Sequence, residues 1–150
     1  MVFGYRWLGE LPRYAEVRST DLGQGGCLWD APVPLVNPNH VSPREREHLE
    51  RVVAMLTAGD AAAETMAQRR WPALWMQDKE KARVFVSRYL AGITETVDFE
   101  IERQRRVAME FFAQPRAWAE VKLVARALLE ASNMRLERHD LLVLMAEQAW

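Results

Sequence analysis

The sequence predicts an all-α fold: about five helices in a compact, bundle-like domain over residues 42–150, preceded by an extended, Gly/Pro-rich N-terminal arm over residues 1–41. Two observations carry this reading. Five of the seven glycines (Gly4, Gly9, Gly23, Gly25, Gly26) and five of the seven prolines (Pro12, Pro32, Pro34, Pro38, Pro43) fall within residues 1–43, whereas the rest reads as one helical segment after another. A chain of 150 residues is also long enough for one domain that buries roughly 70% of the surface its unfolded chain exposes, so no metal or disulfide is needed to hold it.

The arm is too apolar for a disordered tail, with Phe3, Tyr5, Trp7, Leu8, Tyr14 and Val17 in its first half. Asp30 to Val36 reads as extended or polyproline-like, and Gly23-Gln24-Gly25-Gly26 as a flexible hinge between the two parts. Such a segment must dock, either on its own helical body or on a neighbour.

The first helix starts at Ser42. Its hydroxyl can accept from the amide three residues on, Pro43 sits where a missing N–H costs nothing, and Glu45 can reach back in a capping box. Leu49, Val52, Val53 and Leu56 follow helical spacing, and Gly59 supplies a left-handed stop, so this helix is expected over about 43–58. Asp60 is expected to cap an alanine-rich segment, Ala61 to Arg70, which Trp71-Pro72 ends. Asp78 caps the next helix, about 79–91, with Val84, Phe85, Tyr89 and Leu90 on its buried face.

Residues 93–101 fit two patterns. Val97, Phe99 and Ile101 alternate with acids as in a strand, while Ile93, Val97, Ile101, Ala108 and Phe112 fit a helix. Helix is favoured, since a lone strand in a helical body has no partner for its backbone. Gln114-Pro115 then opens a helix at about 116–131, with Trp118, Val121, Val124, Ala125 and Leu128 inward, and Ser132-Asn133 breaks it. The last helix is expected over roughly 135–149, buried on most sides because Leu141 to Met145 is apolar all round.

Little in the chain points to chemistry. The single cysteine, Cys27, cannot form an internal bridge, and no cationic, apolar leader is visible, so a cytoplasmic location is expected. The longest apolar run of the tail, Leu141 to Ala146, is too short to span a membrane. Cys27 lies beside Gly25-Gly26 and His40 or His48 could act as its base, but neither a cause for a lowered pKa nor an orienting third group is visible, so it reads as a small buried hydrophobe. Glu45 and His48 have the Glu-x-x-His spacing of di-iron bundle ligands, but no second such pair occurs and Glu45 is already explained by capping. His139-Asp140 reads as a pair at the start of a helix. No phosphate-binding glycine loop, Gly-x-Ser-x-Gly or Cys-x-x-Cys is present, so neither catalysis nor a cofactor or metal is expected. Val41 to Val53 resembles the opening of some helix-turn-helix regulators over about a dozen residues, but no glycine-bearing tight turn follows and Arg-Arg-Trp-Pro would break a recognition helix. No function is carried over from it.

The net charge of −1 is uneven: residues 69–126 carry twelve Lys or Arg against eight acids, while both flanks are acidic. Seventeen of the twenty basic residues are arginine, a side chain suited to forked pairing with carboxylate or phosphate. Arg69, Arg70, Arg103, Arg105, Arg106 and Arg116 could therefore line a phosphate-binding face. Glu102 and Glu110 lie close to the middle three, which favours a solvated face of intrahelical ion pairs. The function expected is that of a non-enzymatic interaction or assembly subunit, a homo-oligomer or the partner of another protein, docking through Tyr5, Trp7, Trp29 and Leu35 of the arm. Subunits of large ordered assemblies, virion proteins among them, use such arms by analogy. The alternative is a small helical subunit of a nucleoprotein complex that touches the phosphate backbone through the basic middle.

Overall fold

The computed structural model describes residues 1–19, 24–30, 36–67, 76–90 and 96–146. In chain order they form α1 (Val2–Leu8), β1 (Tyr14–Ser19), β2 (Gln24–Leu28), α2 (Pro43–Ala67), α3 (Met76–Tyr89), α4 (Val97–Phe112), α5 (Pro115–Glu130), β3 (Arg135–Glu137) and α6 (Arg138–Ala146). The fold is mostly helical, as expected, but it is not all-α. Six helices and a three-stranded sheet are present among the described residues. The backbone contacts divide the chain into two compact units: Met1–Pro32 with Pro115–Trp150, and Val33–Gln114.

The second unit follows the sequence closely. Ser42 and Glu45 exchange both bonds of the capping box: the Ser42 amide donates to Glu45 Oε2 at 2.8 Å and the Glu45 amide to Ser42 Oγ at 3.3 Å. These bonds hold the Glu45 carboxyl below its ordinary pKa. The stop expected at Gly59 does not occur, and α2 continues to Ala67. A glycine ends a helix only where the chain turns left-handed, and here Asp60 and Ala61 are buried in helical register beyond it. Asp60 is therefore no cap. It is a core carboxylate.

Val36, Leu49, Val53, Ala82, Val86, Leu90 and Ile101 make the buried cluster of this unit, with Phe85, Tyr89 and Val97 partly buried around it. Val84, expected inward, is instead exposed because it lies across the helix from Ala82, Val86 and Leu90. Residues 97–101 are helical. Thr96 caps α4 by accepting from the Phe99 amide at 3.1 Å, and the 3.6-residue period then buries Ile101 while turning Phe99 outward. The expected end at Trp71-Pro72 lies outside the described residues.

The first unit departs from the expectation of an extended arm. Residues 2–8 form a helix whose Phe3 is fully buried and stacked on Trp7, one turn on, with ring centroids 5.3 Å apart. Gly9 ends α1 with φ 75°, its amide bonded to the Tyr5 carbonyl at 2.9 Å. β1 then pairs antiparallel with β2, so that Gln24, Gly25 and Gly26, read as part of a hinge, lie within a strand. On its other edge β1 pairs with β3, matching Ala15 to Leu136 and Tyr14 to Glu137. The sheet order is β2-β1-β3.

The strand β3 replaces the start of the expected last helix. A turn drives this change: Met134 adopts φ 51°, its amide bonds to Ala131 O at 2.9 Å, and Asn133 Oδ1 accepts from the Arg135 amide at 3.1 Å. Ser132-Asn133 thus breaks α5 as expected, but the chain leaves it extended. α6 is half-buried rather than buried all round, with Leu141 and Met145 inside and Leu142 and Val143 nearly half exposed. In α5, Ala117, Glu120 and Val124 are buried and Trp118, Val121 and Leu128 half-buried, whereas Ala125 faces out.

Candidate functional site

A cleft of about 430 Å³ opens in the first unit, where the end of α1, the start of α6 and Asp30, two residues past β2, converge. Tyr5, Glu10, Leu11, Asp30, Arg138 and Leu142 line it, beside Gly9. Local geometry explains the placement. The left-handed Gly9 turns the chain off α1, which leaves Glu10 exposed and puts Leu11 and Pro12 inside.

The floor of the cleft is held by charge. Arg138 Nη2 donates to Leu11 O at 2.9 Å and to Asp30 Oδ2 at 2.6 Å, and its Nε to Pro12 O at 3.3 Å. The backbone amide of Arg138 bonds to Arg13 O at 2.8 Å, and Arg13 Nε donates to Asp30 Oδ1. Hydrogen bonds from Arg13 and Arg138 hold the Asp30 carboxyl below the usual aspartate value. At the start of α6, Asp140 Oδ2 accepts from the Glu137 amide at 3.0 Å, in line with the helix-start reading of His139-Asp140.

α1 also carries a half-buried ion pair. Arg6 Nη2 and Nε grip Glu120 Oε1 and Oε2 at 2.6 and 3.1 Å, and the Glu120 side chain is 1% exposed. Nη2 also reaches Met145 O at 3.4 Å, so this one guanidinium joins α1 to α5 and α6.

Of the four anchors expected in the N-terminal segment, Tyr5 lines the cleft. Trp7 is half-buried against Phe3, and Trp29 is half-buried just after β2. Leu35 lies outside the described residues. Sequence reasoning missed Glu10, Leu11, Asp30, Arg138 and Leu142, and for the Asp30–Arg138 pair no local signal existed, because 108 residues separate them.

The basic middle keeps the exposed, ion-paired face expected of it at Arg103, Arg106 and Arg116, with intrahelical pairs to Glu100 and Glu102, but Arg105 is buried. Arg105 is buried between α4 and α2, its Nε donating to Asp60 Oδ2 at 2.5 Å, its Nη2 to Glu64 and its Nη1 to Glu102 at 3.4 Å. Burial alone would lower its pKa, but the hydrogen bond to Asp60 and the charges of Asp60, Glu64 and Glu102 outweigh that and raise it. Arg103 Nη2 bridges Glu100 and Glu50, at 2.8 Å to each. Its hydrogen bond to the buried Glu100 is the main cause of a raised Arg103 pKa. Arg106 and Arg116 are exposed, and Arg69 and Arg70 lie outside the described residues.

Among the described residues no group of three or more His, Cys, Asp or Glu could hold a metal ion, and no helix is long and apolar enough to cross a membrane. Cys27 is half-buried with a free thiol. No protein-family model, curated protein or solved structure matches the chain.

Proposed function

We propose that the protein is a non-enzymatic interaction or assembly subunit that docks on a partner, or on a neighbouring copy, through the first unit. The cleft at Tyr5 carries this reading. It combines the aromatic ring of Tyr5, apolar Leu11 and Leu142, and the Asp30–Arg138 ion pair, the mixture typical of a recognition surface. Much of the N-terminal apolar surface is consumed internally, since Val2, Phe3, Leu11 and Ala15 are core residues. What remains for a partner is narrower than a whole arm: Tyr5, the half-open Trp7 and Trp29, and the exposed Leu28, Leu142 and Val143. Aromatic residues of this kind are the usual energetic centres of interfaces.

The test is capture from the native source with the full chain, paired with light scattering of the purified protein. Trp7→Ala and Trp29→Ala should each weaken the contact by about 2 kcal/mol if they are anchors. A protein that stays monomeric and captures nothing defeats the reading.

The nucleoprotein alternative is disfavoured by the state of its arginines. Arg103 and Arg105 already pair with carboxylates of α2 and α4, and freeing them for phosphate would take a guanidinium from each of the buried Asp60 and Glu100. Titration of a fluorescent single-stranded DNA at two salt concentrations separates the two. Tight binding that falls steeply with salt and survives both tryptophan changes would replace assembly by phosphate contact.

A further inference from the structure

The three-stranded sheet ends in two unlike edges. β3 is three residues long, carries Arg135 and Glu137, and runs directly into α6, features that keep an outer strand from taking a further partner. β2 has none of them. Its five residues, Gln24-Gly25-Gly26-Cys27-Leu28, hold no charge and no proline, and among the described residues its only strand partner is β1. The edge is open: Gly26, which is all backbone, is exposed, a Cβ built there would meet nothing within 4 Å, and Leu28 is 45% exposed. An outer strand turns half of its N–H and C=O groups away from its one partner, and another extended chain is what satisfies them.

The order of side chains says which chain. Along residues 25–29 two glycines precede Cys27, and Leu28 and Trp29 follow it. When this segment is laid antiparallel on a copy of itself with Cys27 opposite Cys27, residue 26 of each copy lies opposite residue 28 of the other, and 25 opposite 29. Each large side chain then faces a glycine. Leu28 covers the open position at Gly26, and Trp29 covers Gly25, as aromatics do for glycines at strand edges. Successive residues alternate between the faces of a sheet, so Cys27 and Trp29 fall on the side of the buried Ala15, which pairs with Cys27. No charge opposes its like, because the segment carries none. A foreign strand would be recognised through pockets for its alternate side chains, and the open space at Gly26 provides none.

We propose that β2 pairs antiparallel with β2 of a second copy of this chain, about a two-fold axis at Cys27, joining the two sheets edge to edge. The symmetry makes every contact twice, which multiplies the worth of a short edge.

This inference rests on the interaction reading and names its partner as a second copy. Sedimentation velocity of the purified full chain over a range of concentrations is expected to show a monomer–dimer equilibrium, and bismaleimidoethane to join two chains through Cys27, their only cysteine. Gly26→Lys puts a charged side chain where Leu28 of the other copy would sit. It should weaken the dimer about tenfold and remove the cross-link with circular dichroism unchanged, since Gly26 has open space and no left-handed backbone. Leu28→Ala should weaken the dimer about threefold to tenfold, whereas Val84→Lys, exposed in the other unit, should leave it unchanged. A monomer at every concentration, or a dimer that keeps its affinity in Gly26→Lys or yields no Cys27 cross-link, overturns the assignment. If it is overturned while Trp7→Ala still weakens partner capture, pairing at β2 is excluded and the interaction reading stands.

Discussion

The two units are built from opposite kinds of information. Val33–Gln114 is one continuous stretch in which α2 packs on both α3 and α4, whereas the other unit joins the first 32 residues to the last 36. In the first kind of unit the helix starts are marked by signals a few residues apart. The second depends on pairings such as Ala15 with Leu136 and Arg6 with Glu120, which no local pattern announces. A segment can therefore look like an unattached arm simply because its partners lie at the far end of the chain.

The contrast breaks most sharply at Phe3. Phe3→Ala should cost about 3–5 kcal/mol, because a fully buried ring is removed from a helix only seven residues long. If the units are energetically distinct, denaturant titration should show two transitions, the earlier one moved by this change and the later one retained. A single transition that shifts as a whole would join them into one cooperative body.

Buried charge comes next, and it should matter in both units. Asp60→Ala takes a buried carboxylate from the buried Arg105, and Arg6→Ala takes its guanidinium from the buried Glu120, so each should cost about 3 kcal/mol by chemical denaturation. The paired replacements Asp60→Leu with Arg105→Met, and Arg6→Met with Glu120→Leu, should recover most of that loss. Failure to recover would mean that the other partners, Glu64 and Glu102 or Met145 O, carry the interaction.

Smaller effects mark the ends of helices. Ser42→Ala removes an N-cap acceptor and should cost about 1 kcal/mol in the second unit. Gly9→Ala should cost about as much in the first, since a side chain there has open space around it but an unfavourable left-handed backbone. Thermal melts of the two variants should move different transitions.

The smallest effect is on acid stability. Asp30 in one unit and Asp98 in the other have depressed pKa values, the first through hydrogen bonds from Arg13 and Arg138, the second through one from Arg83. A depressed carboxylate stabilises the fold fully above its unfolded value, ordinarily 3.8, and loses that contribution as pH falls through the lower folded value. Asp30→Asn and Asp98→Asn should each flatten this acid-side decline in their own unit and leave stability at pH 7 only slightly reduced, because both groups are exposed.

These comparisons also explain what the sequence made legible. The start of α2 at Ser42 and of α5 at Pro115, and the helical course of residues 97–101, were readable because capping and the 3.6-residue period are local. Gly59 misled because a glycine signals a stop only in a left-handed conformation, and the buried Asp60–Arg105 pair, 45 residues apart, favours continuing the helix. The sheet was hidden because its central strand has one partner that follows closely in sequence and the other about 120 residues away. At the cleft, Tyr5 stood out as an aromatic in the N-terminal segment, but Glu10, Asp30 and Arg138 acquire meaning only once the ends of the chain meet.

The pairing of β1 with β3 sets an order of events during synthesis. When residue 114 has left the ribosome, α2, α3 and α4 of the second unit have all been made, so that unit can fold before the other is complete. α1 and the β1–β2 hairpin were made first, yet they must wait for α5, β3 and α6 before Phe3 and Ala15 can be covered. For that interval the nascent chain carries an uncovered apolar helix and an incomplete sheet edge, the features that recruit chaperones and promote association between chains.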